Sequence, residues 1–297
     1  MLYRELTTEG RNRATGNLDT MNALELVNAM NHEDAAVPRA IRRVLPQIAE
    51  AVELIAGRLA KGGRLIYVGA GTSGRIGALD ASEATPTFGV SAKMVQFVMA
   101  GGERALARAT EASEDSVEMG RRDIAARRPG RHDVVVGIAA SGVTPYTLSA
   151  LTYAGSKGAA TVAVVCNRGS ALGKAADVAI EVEVGPEVLA GSSRLKAGTA
   201  QKLICNMLTT GAMVRLGYVY SNLMVNLHLK NRKLLERGIQ VMEMLGGVER
   251  AHAIATIQKA GMSLPLALVM CNAKVGKTEA ARRLRKSNGN VRKAIEG

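Results

Sequence analysis

A chain of 297 residues that is 47% apolar can bury a substantial core, and none of its apolar runs reaches the roughly 18 residues that a membrane-spanning helix needs. Its net charge of +13 would suit a polyanion, yet aromatics are only 3% with no tryptophan, so base-stacking platforms are scarce, and no helix-turn-helix or zinc spacing stands out. Neither a nucleic-acid nor a membrane partner is expected, and the excess base is read as solvated surface that favours an anionic small molecule.

Residues 1 to about 20 are polar, contain Gly10 and Gly16, and read as an extended arm. The opening MLYRELTTEGRNR has no apolar stretch of the secretory kind, which predicts a cytoplasmic protein. From Glu33 to about Leu59, the apolar positions Val37, Ile41, Val44, Leu45, Ile48, Val52, Ile55 and Leu59 recur at three- and four-residue steps, predicting an amphipathic helix. Pro38 suits its first turn, whereas Pro46 lies deeper and kinks or divides it. After Gly62 and Gly63 the pattern changes to short apolar runs rich in β-formers, at 64–68, 94–99, 133–138, 161–166 and 178–184. Helix-compatible stretches alternate with them at 73–79, 104–126, 145–157 and 171–175. Such alternation predicts an α/β fold built on a doubly wound parallel sheet, with its ligand at the carboxyl ends of the strands. A long helix is expected over 196–216, and beyond about Asn222 only helical periodicity persists, punctuated by Gly246, Gly247, Gly261 and Gly276. The chain is thus divided into an N-terminal arm and helix (1–54), an α/β domain (55–218) and a small C-terminal helical region (219–297). Cys166, Cys205 and Cys271 are too few and scattered for a disulfide framework, and the four histidines show no metal-ligand spacing.

Three loops carry hydroxyls at predicted helix starts. In YVGAGTSGR (67–75), Gly69, Gly71 and Gly74 satisfy GxGxxG, but no ribose-binding acid follows at the spacing a dinucleotide site requires. What the loop adds is Thr72 and Ser73 beside the backbone amides of Gly71 and Gly74, a donor set suited to a terminal phosphate. GIAASGVTPY (137–146) repeats the arrangement with Ser141, Gly142 and Thr144, and GSSRLKAGTAQK (191–202) brings Ser192, Ser193, Arg194 and Lys196 ahead of the long helix. Two strand ends with the same chemistry suggest one shared anion, and the third loop is placed to neutralise a second acidic group. Read singly, each is also an ordinary cap or turn.

At these residues the chain resembles the sugar isomerase (SIS) domain family, and within it the N-acetylmuramic acid 6-phosphate etherases. The likeness runs nearly end to end, through LTTEGRN, GRLIYVGAGTSGRIGALDASE, MAGGE, EASEDS, VGIAASGVTPY and GSSRLKAGTAQK. It implies a cytoplasmic enzyme, commonly a homodimer, that splits the D-lactyl ether of a sugar 6-phosphate during recycling of cell-wall sugars. The chain departs from the family pattern at Val143, where an arginine is frequent, and at Ala84 and Thr85, where a Cys-Pro pair follows the catalytic glutamate.

The chemistry implied by the resemblance needs two positioned acid/base groups and neither metal nor cofactor. Opening of the sugar to its aldehyde acidifies the C2 proton, a base removes it, the ether at C3 departs with a proton from an acid, and water adds to the unsaturated product. The resemblance makes Glu83 of DASE the acid and Glu114 of SED the base, with Asp80 and Asp115 flanking them. Alternatives are a non-catalytic regulator that binds sugar phosphates, a SIS-type isomerase that moves the same C2 proton, and a nicotinamide-dependent oxidoreductase.

Overall fold

The computed structural model describes residues 6–108, 113–227, 229 and 231–297. Residues 109–112, including Glu111 and Ala112 of EASEDS and part of the helix expected over 104–126, lie outside the described residues, as do the first five residues and His228. The chain gathers into two compact units, one of residues 1–82 with 92–209 and one of residues 83–91 with 210–297.

The first unit is built on five parallel strands, β1 (Leu65–Gly69), β2 (Val95–Met99), β3 (Val134–Ala139), β4 (Ala160–Val165) and β5 (Val178–Glu181), in the order β2-β1-β3-β4-β5. Every residue of β1, β3 and β4 is buried, as expected of central strands that read as continuous Val, Ile and Ala runs and are covered on both faces. On one face, α5 (Val117–Ala126) and α6 (Pro145–Ser156) place Ile124, Tyr146, Ala150, Leu151 and Ala154 against Ile66, Val68, Val135 and Ala163. On the other, the Tyr67 hydroxyl donates to Asp80 of α4 (Gly71–Phe88) at 2.8 Å. Asn206 and Thr209 of α8 (Lys196–Leu216) donate to the same carboxylate. Burial raises the Asp80 pKa, and the three donors act against that rise. Asp80 therefore pins α4 to β1 and α8 instead of facing solvent.

The chain leaves β1 for β2 on one side and returns past β1 to β3 on the other. The crevice between the carboxyl ends of β1 and β3 is therefore the topological switch point, where ligands of such sheets bind.

The predicted helix over 33–59 is divided into α2 (Ala36–Arg42) and α3 (Leu45–Leu59), preceded by a helix the periodicity did not predict, α1 (Ala23–Asp34), and Pro46 lies in the first turn of α3, where its missing N–H costs nothing. Helix α1 is closed at its start by a capping box between Asn22 and Glu25. The arm is less extended than its composition suggests: among the described residues it makes three short 3-10 turns and buries Leu6, Thr8 and Thr15. Helix α4 runs through Pro86, well past the stretch expected from its pattern. A four-residue helix, α7 (Ala171–Lys174), follows β4.

In the second unit, a short antiparallel pair, β6 (Val219–Tyr220) and β7 (Leu223–Met224), precedes α9 (Arg232–Gly246), α10 (Arg250–Lys259), α11 (Leu264–Asn272), α12 (Lys277–Lys286) and α13 (Val291–Glu296). The glycines punctuate these helices as expected, Gly247 as a left-handed C-cap and Gly276 as an N-cap. Ile239, Met242, Ile257, Leu264, Leu268 and Val291 form the core of the bundle. No helix among the described residues is long and apolar enough to cross a membrane.

Candidate active site

Strand β1 ends at Gly69 and the chain turns at once into α4. Gly71 has φ +52°, a left-handed conformation, and Glu114 Oε1 lies 2.7 Å from the place a Cβ would take there. Only glycine lets this carboxylate approach the backbone so closely. Gly74 N donates back to Ala70 O at 3.1 Å, whereas the amides of Gly71, Thr72 and Ser73 have no acceptor among the described residues. The N-terminus of α4 thus presents open donors with the positive end of a helix dipole behind them.

Loop 2 sits at the neighbouring strand end. Gly142 has φ +72°, and a Cβ there would stand 2.5 Å from Ser170 Cβ. Ser141 Oγ accepts from Val143 N at 3.3 Å, leaving its proton for another acceptor, and Thr144 begins α6 without using its hydroxyl as a cap. Tyr146 N donates to Glu114 O at 3.1 Å, so the backbone carrying Glu114 is fastened to the start of α6. Loop 1, loop 2 and Glu114 therefore converge at the switch point.

The third loop meets the first: the Thr72 methyl lies 3.5 Å from the Cβ position of Gly198, and Gly198 N donates to Ser193 O. The amides at the start of α8 and the Lys196 ammonium are already taken. Lys196 N and Ala197 N both donate to the Glu187 carboxyl at 2.9 Å, and the Lys196 ammonium pairs with Glu33 at 2.5 Å. Burial raises the Glu187 pKa, while those two amides and Lys196 work in the opposite direction. Lys196, expected to meet an acidic group of a ligand, meets one of the protein, and it is buried where it does so. Arg194 is exposed, and Ser192 and Ser193 are half-buried.

Two further residues, Gln201 and Asn167, escape notice in the sequence. Gln201 accepts from Ser73 Oγ at 3.0 Å, and its buried Nε2 has no partner among the described residues, so it is a donor held in reserve beside loop 1. Asn167, at the end of β4, donates to Ala140 O and accepts from Thr7 N and Thr7 Oγ1 at 2.7 and 2.8 Å, stitching the N-terminal arm to loop 2. Arg75, which follows loop 1, donates to the carbonyls of Leu106 and Arg108 at 3.2 Å.

Glu83 is exposed on α4, ten positions beyond Ser73, about 15 Å along the helix axis. Asp115 is exposed as well. Among the described residues, no group of three or more His, Cys, Asp and Glu side chains is placed to hold a metal ion.

Comparison with known proteins agrees with this architecture. The model of the glucokinase regulatory protein N-terminal SIS domain matches residues 47–155, and that of the SIS domain matches residues 126–211. A phosphoheptose isomerase from Francisella tularensis superposes with a TM-score of 0.53 at 20% identity, covering 65% of this chain and all of that one, which speaks to the fold alone. The N-acetylmuramic acid 6-phosphate etherase of Clostridium beijerinckii is 47% identical over 99% of this chain and 96% of its own length. The enzyme of that name from Serratia proteamaculans is 49% identical over 98% of each. With such identity spread over both units, the chain belongs to the N-acetylmuramic acid 6-phosphate etherase family of SIS-domain proteins.

Proposed function

We infer that this chain is a carbon–oxygen lyase that cleaves the D-lactyl ether of N-acetylmuramic acid 6-phosphate, giving N-acetylglucosamine 6-phosphate and D-lactate in the recycling of cell-wall amino sugars. Beyond family membership, the observation that carries this reading is the Glu114 carboxylate lying against Gly71 between the two hydroxyl-bearing loops. The phosphate is assigned to the open amides of Gly71, Thr72 and Ser73 with the hydroxyls of Thr72, Ser73, Ser141 and Thr144, around Gly74 and Gly142. Ser192, Ser193 and Arg194 form the adjoining rim, and Lys196 serves by holding that rim to Glu33.

Glu114 takes the C2 proton of the open-chain aldehyde, and Glu83 gives a proton to the departing lactyl oxygen. Water then adds its oxygen to C3 and a proton to C2, which restores the saturated sugar. A carboxyl group that works as an acid near neutral pH is normally shielded from water, yet Glu83 is exposed on the single chain. Its exposure, with that of Leu79 one turn before it on α4, supports a homodimer in which a second copy covers this face. A phosphorylated sugar as substrate supports a cytoplasmic location.

The decisive measurement is incubation with N-acetylmuramic acid 6-phosphate followed by assay of D-lactate. Glu114→Gln should lower lactate release by at least about a thousandfold while leaving sugar-phosphate affinity within about threefold, because the variant keeps its shape and loses its basicity. Normal turnover by that variant would remove the base assignment. Binding without lactate release by the unaltered protein would favour a regulator, and conversion to a ketose phosphate would favour an isomerase.

A further inference from the structure

Just past the end of β4, Asn167 places its amide between loop 2 and the N-terminal arm, where it is 3% exposed. Its Nδ2 donates to Ala140 O at 3.1 Å, to Ser141 O at 3.4 Å and to Thr8 Oγ1 at 3.2 Å. Its Oδ1 accepts from Thr7 N at 2.7 Å and from Thr7 Oγ1 at 2.8 Å. A primary amide has two N–H donors and two acceptor sites, so this one is saturated, with loop 2 on its nitrogen and the arm on both ends. The arm is fastened at its other end as well. Thr15 Oγ1 donates to Val188 O at 2.8 Å, and the Asn12 side chain donates to the Glu33 carboxyl, the partner of Lys196 at the start of α8. Between these ends, Glu9 Oε2 lies 3.6 Å from the Cβ position of Gly191. The arm therefore runs from loop 2 to the third loop.

We propose that Asn167 is a positioning residue of the phosphate site and that the N-terminal arm is the strap that holds it in place. The proposal rests on the phosphate assignment made above. Ala140 O and Ser141 O belong to the two peptide groups that bracket the Ser141 Cα, so a donor shared between them fixes the backbone on either side of that residue. This sets the direction of Ser141 Oγ, which accepts from Val143 N and keeps its proton for a ligand. Asn167 is itself oriented from the opposite side, by the two Thr7 bonds to Oδ1. Without them the amide is free to turn about its last torsion and release both carbonyls, and Ser141 then has to be ordered at the moment phosphate binds. That ordering is subtracted from affinity. Glu114 is fastened separately, through its carbonyl to Tyr146 N, so loosening the strap weakens binding and spares the proton transfer.

Asn167→Ala empties a buried position and lowers stability whatever the residue does, so the test works from the arm. Leu6 is extended, with φ −73° and ψ 129°, and Thr7 opens a 3-10 turn, a setting that proline fits without strain. Thr7→Pro therefore removes both bonds to Asn167 Oδ1 at an exposed position. Binding of inorganic phosphate is measured by calorimetry and turnover of N-acetylmuramic acid 6-phosphate by lactate release, for the unaltered full-length protein, Thr7→Pro, Ser141→Ala and the double variant. Thr7→Pro is expected to raise the phosphate Kd and the KM by at least about fivefold, with kcat changed less than about twofold. The double variant should match Ser141→Ala within about twofold, because the strap acts through a hydroxyl that is no longer there. Two single effects that multiply, an unchanged Kd in Thr7→Pro, or a fall in kcat alone would overturn the positioning role. If phosphate binds and no lactate is released, the etherase reading fails by itself, and the four phosphate Kd values decide on the strap by the same criteria. If the unaltered protein binds no phosphate, the site and its strap fall together.

Discussion

Two glycines set the geometry at which Glu114 and the two hydroxyl-bearing loops meet. At Gly142 a methyl group would combine a left-handed φ of +72° with a collision against Ser170, and relief would move the backbone between Ser141 and Thr144. Gly142→Ala should therefore destabilise the fold by about 2 kcal/mol and raise the KM for the sugar phosphate more than it lowers kcat, measured by thermal unfolding and steady-state kinetics. Ser73 and Ser141 act at the level of single bonds. Ser141→Ala removes a hydroxyl whose proton is uncommitted, and Ser73→Ala removes one that turns from Gln201 to the ligand on binding, so each should weaken binding by up to about tenfold, about 1.4 kcal/mol; affinity unchanged in both would count against a shared anion site.

Among the elements, the amino ends of β1 and β3 are joined by one ion pair. Arg64 donates from N and Nε to Asp133 Oδ1 at 2.9 and 3.0 Å and from Nη2 to Oδ2 at 2.6 Å, and Gly130 N adds a fourth bond. Burial works to raise the Asp133 pKa, but the Arg64 and Gly130 bonds outweigh it and hold the carboxyl below its ordinary value. A carboxylate with a depressed folded-state pKa stabilises the fold above its unfolded pKa, near 4, and loses that contribution as the pH falls through the folded value. Asp133→Asn should cost about 2 kcal/mol at pH 7 and make the remaining stability less sensitive to acid below pH 4, as followed by denaturant unfolding at several pH values.

At this scale much was readable beforehand. Five runs of β-branched residues became five strands because central parallel strands need apolar side chains on both faces, and that pattern is unambiguous in Leu65–Gly69 and Val134–Ala139. Helix α1 was missed because it buries no residue, leaving Leu24 and Val27 exposed. Its only signal was the capping box, Asn22 with Glu25. The three hydroxyl loops were found by their glycines and serines, but what distinguishes them was hidden. Glu187 reaches the start of α8 from nine residues upstream, Glu33 reaches Lys196 across 163 residues, and Asn167 reaches the arm across 160. Partners brought together only by the fold leave no periodic trace in the chain.

For the molecule as a whole, the charge is unevenly distributed. Residues 210–297 hold fifteen Lys and Arg against five Asp and Glu, so residues 1–209, which contain all three loops, are close to balance. The net charge of +13 therefore says little about the substrate, and attraction for phosphate must come from local amides and hydroxyls. Raising the salt from 50 to 500 mM should accordingly change the kcat/KM for the sugar phosphate by no more than about threefold, since long-range fields are screened over this range while short hydrogen bonds are not; a steeper fall would mean that distant cations steer the ligand.

The Glu187 carboxyl at the start of α8 bears on stoichiometry. It occupies the amides at the start of α8, so under the proposed function the phosphate is taken at α4 alone. Inorganic phosphate should titrate to one equivalent per chain and compete fully with the sugar phosphate. A sugar bearing two phosphates should gain nothing over one bearing a single phosphate, because its second group would find a carboxyl already in residence.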